Sequence, residues 1–192
     1  DIVLVCDVGG GTTDFSLIAV SEKDKCLELD RLSVGNHILL GGDNMDLTLA
    51  FHLKKKISEQ GQNLDKWQFL SLIGAAKVAK EKILQSEELD SVPISIAGKG
   101  SSLMASTIKT TLVRQEVLDL LQEGFFPITS KEEQPNCQRD IGLQDFGLNY
   151  ENDPAITKHL SKFLHMSRKN IDSSPKLRAL VSGFLEKSGQ QD

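Results

Sequence analysis

Apolar runs and a glycine turn alternate at the start of the chain. Residues 2–6 are continuously apolar, residues 15–20 form a second run after three glycines, and residues 27–34 alternate loosely beyond a charged connection at 21–25. Short runs of this kind are typical of strands, and an unbroken apolar run is typical of a strand covered on both faces. The pattern predicts three antiparallel strands, with residues 2–6 central and Cys6 in the core.

The next apolar positions recur with the period of a helix. A first helix is predicted from Asp43 or Asn44, either of which can cap it, to Gly61, which can end it. Asp65 is expected to cap a second helix that ends near Ser86.

A hairpin and three further helices complete the predicted elements. Residues 92–97 and 103–109 read as two strands around a flexible glycine tip, and residues 114–123 read as a helix. Residues 128–150 have little periodicity and are expected to form a long irregular connection. Two helices should follow, the first capped by Asn152 or Asp153 and opened by Pro154, the second opened by Pro175 and ending near Gly189.

Composition is that of an ordinary globular domain and narrows the function classes. The 192 residues are 39% hydrophobic and 26% charged, with a net charge of −5. Nucleic-acid binding is not expected because no basic stripe is present, and no apolar run approaches the ~18 residues of a membrane span. Three cysteines without metal-ligand spacing indicate reduced thiols in a cytoplasmic protein.

The glycine turn carries the chemistry. The backbone N–H groups of Gly9, Gly10 and Gly11 can cradle anionic oxygens, as glycine turns do. Asp7 and Asp14 bracket the turn and would repel a phosphate unless a cation lay between them, most plausibly Mg²⁺ held through water. Neighbouring threonine hydroxyls, at positions 12 and 13, can reach a phosphate oxygen or a metal-bound water. The alternative is a hairpin whose glycines serve only the turn.

Two common nucleotide motifs do not fit this turn. A Walker loop requires Gly-Lys-Ser/Thr and then a helix, and a Rossmann loop also leads into a helix, whereas residues 15–20 read as a strand.

The sequence of residues 7–14, DVGGGTTD, resembles the second phosphate loop of the seventy-kilodalton heat-shock (DnaK-like) chaperones, in the superfamily of actin and the sugar kinases. Residues 40–46, LGGDNMD, resemble the Leu-Gly-Gly-Glu/Asp-x-x-Asp segment that follows the third strand of the same lobe. The resemblance extends over residues 1–125.

This resemblance implies the α/β fold of an actin-like ATPase (ribonuclease-H-like), of which the chain would be part of the second lobe. Residues 1–45 would supply the phosphate-loop strands of a sheet that also receives parallel strands from later in the chain. Residues 46–126 would form an upper subdomain over the nucleotide, and residues 127–192 a divergent connection with two helices.

The resemblance also implies ATP or ADP with Mg²⁺ as ligands. Asp7 and Asp14 would organise the metal and the attacking water, and Asp7 and Thr12 are the candidate catalytic residues. The candidate nucleotide-binding residues are Gly9, Gly10, Gly11, Thr12, Thr13 and Lys80.

Lys80 is assigned by its place on the second helix. In the family, this helix presents an acid, a lysine, an arginine and a serine to the adenosine. Here Lys80 keeps the lysine, while Lys77, Glu81 and Leu84 replace the other three. An ordinary exposed helix lysine is the alternative for Lys80.

The family's remaining cleft residues are not found in this sequence. The chain begins at Asp1 without a methionine, and no Gly-Gly-x-x-Arg adenosine motif appears before Asp192, so we expect a fragment with negligible hydrolysis by itself. Expected partners are nucleotide, the first lobe and the rest of the ATPase domain, and co-chaperones or client proteins. The alternatives are a non-hydrolysing nucleotide-sensing or protein-interaction module and, less favoured, a sugar or acid kinase of the same superfamily.

Overall fold

The computed structural model describes residues 1–98, 107–136 and 151–188, with only the backbone of residues 184–188. Two compact units are present: residues 1–41 with 128–192 form the first, and residues 42–127 form the second. The elements in chain order are β1 (Ile2–Val8), β2 (Thr13–Lys23), β3 (Cys26–Val34), α1 (Gly42–Glu59), α2 (Lys66–Gln85), β4 (Ser91–Ile96), β5 (Ile108–Val113), α3 (Arg114–Phe125), α4 (Ile156–Ser173) and α5 (Pro175–Ser188).

The predicted three-stranded antiparallel sheet is confirmed in the first unit, in the order β1-β2-β3. The first hairpin pairs Val8 with Thr13, which fixes the register around the glycine turn. The predicted connection at 21–25 is wrong in length, because β2 continues to Lys23. Asp24 and Lys25 alone turn the chain, with φ of 53° and 64°, as a two-residue turn matched to the strand twist requires.

The prediction that the first strand is covered on both faces is wrong. All seven residues of β1 are exposed, and Cys6 is an exposed free thiol rather than a core residue. The physical reason is topological: β1 lies at the edge of the described sheet and pairs only with β2. A continuous apolar sequence is typical of a strand covered on both faces, but the described part of the chain does not cover β1.

One face of the sheet packs against α4. Phe163 of α4 stacks on Phe15 of β2, with ring centroids 5.6 Å apart and an interplanar angle of 28°. Further along α4, the buried Ser167 hydroxyl donates to Ser33 Oγ at 2.8 Å. The helix that follows residues 128–150 in the sequence therefore packs on the same sheet as the glycine turn.

The start of α4 differs from the prediction. The helix begins at Ile156 rather than Pro154, and Asp153 does not cap it by the expected geometry. Instead, the buried Asp153 carboxylate accepts hydrogen bonds from the backbone amides of Asn136 and Ala155, at 2.9 and 3.0 Å, and from Lys158 Nζ at 3.1 Å. Burial by itself raises the pKa of Asp153, but these hydrogen bonds outweigh it and hold the pKa below its ordinary value.

The second unit is three helices and a hairpin. The α2 cap is as predicted: Asp65 accepts from the Gln68 amide at 2.9 Å, and the Gln68 side chain accepts from the Asp65 amide at 3.0 Å. Gly61 follows α1 with φ of 80°, as a helix-ending glycine does. The second hairpin strand runs over Ile108–Val113, later than predicted. Of the predicted tip at 98–101 only Gly98 is described, and residues 103–106 also lie outside the described residues.

The core of this unit contains Leu49, Leu53, Ile57, Leu72, Ile83, Leu112 and Val117. All of these except Leu112 lie in the predicted helices. None of the helices described is both long enough and apolar enough to cross a membrane.

Candidate functional site

The glycine turn is a four-residue connection between β1 and β2. Val8 pairs with Thr13, so residues 9–12 form the loop, and the Gly9 amide donates to the Thr12 carbonyl at 2.8 Å. Gly10 and Gly11 lie exposed at its tip. An approaching anion can therefore reach the backbone of the tip without displacing a side chain.

Asp7 and Asp14 are direct cross-strand partners at the mouth of the turn. Opposed residues of an antiparallel pair point to the same face of the sheet, and like charges in this position repel. Asp7 is exposed, and the Asp14 side chain is 35% exposed, so a hydrated cation can approach both. The strand register thus brings together the two residues that the sequence singled out as metal-organising.

The donor set at this mouth suits a cation that keeps most of its water. Within the described ranges, no group of three or more His, Cys, Asp or Glu side chains is placed to hold a metal ion. Two carboxylates, with water and phosphate oxygens supplying the remaining ligands, match the way Mg²⁺ is usually bound.

Sequence reasoning missed His37. Its Nδ1 lies 2.5 Å from Asp14 Oδ1, and its side chain is 83% exposed. No local pattern marks this residue, because it reaches Asp14 only through the folded path of the segment after β3.

The two threonines of the turn have different surroundings. Thr12 is half-buried within the loop, whereas Thr13 is fully buried on the face of β2 opposite to Asp14. The Thr13 hydroxyl donates to the Leu40 carbonyl at 2.7 Å. Thr13 and Ile38 also exchange backbone hydrogen bonds of 2.9 and 3.1 Å. Thr13, a predicted ligand residue, is thus engaged with the second motif.

Gly41 of the second motif lies directly against the turn. A Cβ atom at this position would lie 2.6 Å from the Gly9 carbonyl oxygen and 2.7 Å from the Gly10 carbonyl oxygen. Only glycine fits at such a distance. The first two residues of the second motif, Leu40 and Gly41, therefore contact the first motif within the first unit.

Lys80 lies in the second unit and is not an ordinary exposed lysine. Its Nζ is 2.7 Å from Asp46 Oδ1 and 3.5 Å from the Gly42 carbonyl oxygen. The two side chains of the ion pair are 11% and 3% exposed. Lys77, which replaces the family's acid, reaches Asp43 at 3.9 Å on the surface. The ammonium group of Lys80 is thus neutralised by the second motif itself.

Comparison with known proteins agrees with these motifs. The family model described as Hsp70 protein matches residues 1–138. The chain is 28% identical over 145 residues to the chaperone protein HscA of Salmonella arizonae and, equally, to that of Citrobacter koseri, covering 64% of this chain and 22% of each relative. It is 29% identical over 86 residues to an HscA homologue of Acinetobacter baylyi, covering 45% of this chain and 13% of the relative.

The chain spans about a fifth of the length of the HscA proteins that it matches over 145 residues. The match to the family model, in contrast, covers well over half of the chain and includes both glycine motifs. The chain belongs to the Hsp70 protein family.

Proposed function

We propose that the turn at residues 7–14 binds the phosphates of ATP or ADP together with Mg²⁺, as part of the ATPase domain of a chaperone. The observation that carries this proposal is the pairing of Asp7 with Asp14 across an exposed triple-glycine turn. Two opposed carboxylates beside an anion cradle destabilise the empty site, and a bound cation reverses that effect.

Each group of the turn has a role in this proposal. The exposed backbone of Gly10 and Gly11 would face the phosphate oxygens, whereas the Gly9 amide already donates to the Thr12 carbonyl and would shape the loop. Asp7 and Asp14 would hold Mg²⁺ through its water ligands. The cation supplies positive charge against the phosphates. In the complete domain, Asp7 and Asp14 would organise the attacking water and Thr12 would help to hold the phosphates, so that Asp7 and Thr12 are the proposed catalytic residues. Thr13 is left out of the ligand set because its hydroxyl is buried and donates to Leu40.

The fold supports an assignment to the second lobe of an actin-like ATPase. Ile2, Val3, Leu4 and Val5 of β1 are 39–43% exposed, although they alternate between the two faces of the sheet. Such a strand suits the interior of a larger sheet, in which further strands pair with its free edge. We retain residues 1–45, 46–126 and 127–192 as the proposed divisions of this lobe.

The whole protein is proposed to be a cytoplasmic chaperone ATPase that works with co-chaperones and client proteins. This rests on the Hsp70 family membership and on the relatives' printed description as chaperone proteins. The 192-residue chain alone is expected to hydrolyse ATP negligibly, because phosphoryl transfer needs positioned charge on every side of the γ-phosphate.

Calorimetric titration tests the binding proposal. Mg-ATP and Mg-ADP are titrated into the full-length protein, into Asp14→Asn and into Asp30→Asn, a matched control at an exposed position of β3. Loss of a group that orders metal-bound water should raise Kd by about 10–100-fold in Asp14→Asn. The control should bind as the unchanged protein does. Absence of binding to the unchanged protein would refute the proposal.

A second candidate is a nucleotide-sensing module that binds without hydrolysis. The buried Lys80–Asp46 ion pair favours it, since a lysine neutralised inside its own unit has less charge to offer a nucleoside. Tight Mg-ATP binding without turnover by the full-length protein would select this candidate. The kinase alternative receives no such support from the Hsp70 match.

A further inference from the structure

We propose that Thr13 is a positioning residue of the phosphate turn: its hydroxyl fastens Leu40 to β2, which seats Gly41 against Gly9 and Gly10 and fixes the turn before a ligand arrives. The inference rests on the proposed phosphate-binding function for the identity of the ligand. It assigns to Thr13 a role through other residues rather than a contact with the nucleotide.

The first support is the set of bonds around Thr13. This residue is fully buried, and it makes three hydrogen bonds to a segment about 25 residues later in the chain. Its hydroxyl donates to Leu40, its amide donates to Ile38, and its carbonyl accepts from Ile38. The segment's own Leu40 amide donates to the Ile38 carbonyl at 2.8 Å, which makes a tight turn of residues 38–40. The hydroxyl thus adds a side-chain hydrogen bond to the backbone bridge between Thr13 and residues 38–40.

The second support is the fit of Gly41, the residue that follows this bridge. Its α-carbon approaches the turn so closely that an added Cβ would meet Gly9 and Gly10 carbonyl oxygens and, at 2.9 Å, the Gly10 carbonyl carbon. Backbone packed against backbone leaves the loop little room to move. A shift of Leu40 would therefore be transmitted to the turn through Gly41.

The third support is the separation of roles along β2. Successive side chains of a strand point to opposite faces, so Asp14 faces the ligand side while Thr13 and Phe15 face the packed side. Thr13 can hold the turn without occupying the ligand's space. When hydrogen-bond donors and carboxylates are already held in position, less free energy is lost to ordering them when a ligand binds.

The hydroxyl, rather than the shape of the side chain, carries the effect. Thr13→Val keeps the branched shape but leaves the buried Leu40 carbonyl without its donor, whereas Thr13→Ser keeps the donor. A buried carbonyl left without its donor corresponds to about a five- to 150-fold change in an equilibrium constant. We expect Kd for Mg-ATP to rise by that factor in Thr13→Val and to be restored to near its original value in Thr13→Ser.

Hydrogen–deuterium exchange of the nucleotide-free, full-length protein supplies a readout that does not depend on ligand. Peptides that cover residues 9–13 and 38–41 should exchange about five- to 150-fold faster in Thr13→Val and at the original rate in Thr13→Ser. Thr48→Val is the matched control, because the Thr48 hydroxyl also donates to a backbone carbonyl, that of Asn44, within α1. It should leave the exchange of both peptides unchanged.

The outcomes separate this inference from the proposed function. Unchanged exchange in Thr13→Val, or failure of Thr13→Ser to restore it, overturns the positioning role. Faster exchange with an unchanged Kd overturns it as well, since Thr13 would then stabilise the bridge without preparing the site. If the unchanged protein does not bind Mg-ATP, the proposed function is refuted, and the role of Thr13 in positioning a nucleotide site is refuted with it. The exchange rates still show whether the Thr13 hydroxyl stabilises the turn.

Discussion

The contact between Gly41 and the glycine turn leads to a sharp test of the site's architecture. Gly41→Ala adds one methyl group where the carbonyl oxygens of Gly9 and Gly10 lie 2.6 and 2.7 Å from the new Cβ position. Real Cβ atoms essentially never approach other heavy atoms within 3.0 Å. Either the turn or the second motif must therefore move by several tenths of an ångström.

The cost of that movement is an overpacking cost. The atoms that must give way are backbone atoms of the turn, which have no rotamer by which to escape. Overpacking of a close-packed site costs about 1–3 kcal/mol. Because the displaced atoms belong to the proposed phosphate cradle, affinity for Mg-ATP should fall as well, by about tenfold for each 1.4 kcal/mol lost from binding.

Urea unfolding followed by circular dichroism measures the first effect, and calorimetric titration of Mg-ATP measures the second. Gly74→Ala is the matched control, because a Cβ on this helical glycine meets nothing within 4 Å. That change should stabilise α2 by about 0.5–1 kcal/mol through helix propensity. A lower free energy of unfolding for Gly41→Ala and a higher one for Gly74→Ala would distinguish a specific steric clash from a general effect of replacing glycine with alanine.

Two results would refute the reasoning about Gly41. Equal stability of Gly41→Ala and the unchanged chain would mean that the close approach to the turn does not exist in solution. Lower stability with unimpaired Mg-ATP binding would mean that the displaced backbone is not part of the phosphate site.

Three further predictions concern charges. Asp7→Asn should raise the free energy of unfolding in Mg²⁺-free buffer by up to about 1 kcal/mol, because it removes repulsion from Asp14; urea unfolding measures this, and a loss of stability contradicts it. Lys80→Met should lower the free energy of unfolding by about 3–5 kcal/mol, because it leaves Asp46 buried without its cation. Adding Asp46→Leu should recover much of this loss, and a double-mutant cycle that shows simple additivity contradicts the pairing. Burial alone would raise the pKa of Asp153, but the hydrogen bonds to its carboxylate hold the pKa below the ordinary value. The carboxylate therefore stabilises the fold fully above its unfolded pKa of about 3.9, and this stabilisation is lost as pH falls through the lower folded pKa. Asp153→Asn should remove this part of the acid dependence of urea midpoints, and an unaltered dependence contradicts the assignment.

Local signals made several elements predictable from the sequence. The start of α2 follows from Asp65 and Gln68, which satisfy each other's backbone within one helical turn. The end of α1 follows from Gly61, whose φ of 80° is open to glycine at no steric cost. The pairing of Asp7 with Asp14 also follows, once the turn length fixes the register. In each case the deciding residues are near neighbours in the sequence.

Burial and side-chain roles were less predictable because distant residues decide them. The apolar sequence of β1 indicated a covered strand, but its exposure depends on which other strands pair with it. Thr12 and Thr13 are equivalent by composition, and only the carbonyl of Leu40, 27 residues away, gives Thr13 its buried partner. His37 beside Asp14 had no local signal for the same reason.

The alternation of side chains along β2 links the proposed ligand site to the packing of the sheet. Asp14 faces the proposed metal, while its neighbours Thr13 and Phe15 are held from the other side by Leu40 and by the Phe163 ring. Because one short strand carries both sets of contacts, the geometry of the carboxylate depends on residues that never touch the ligand. The helix α4, which lies beyond the part matched by the family model, therefore supports the strand that carries the proposed phosphate turn.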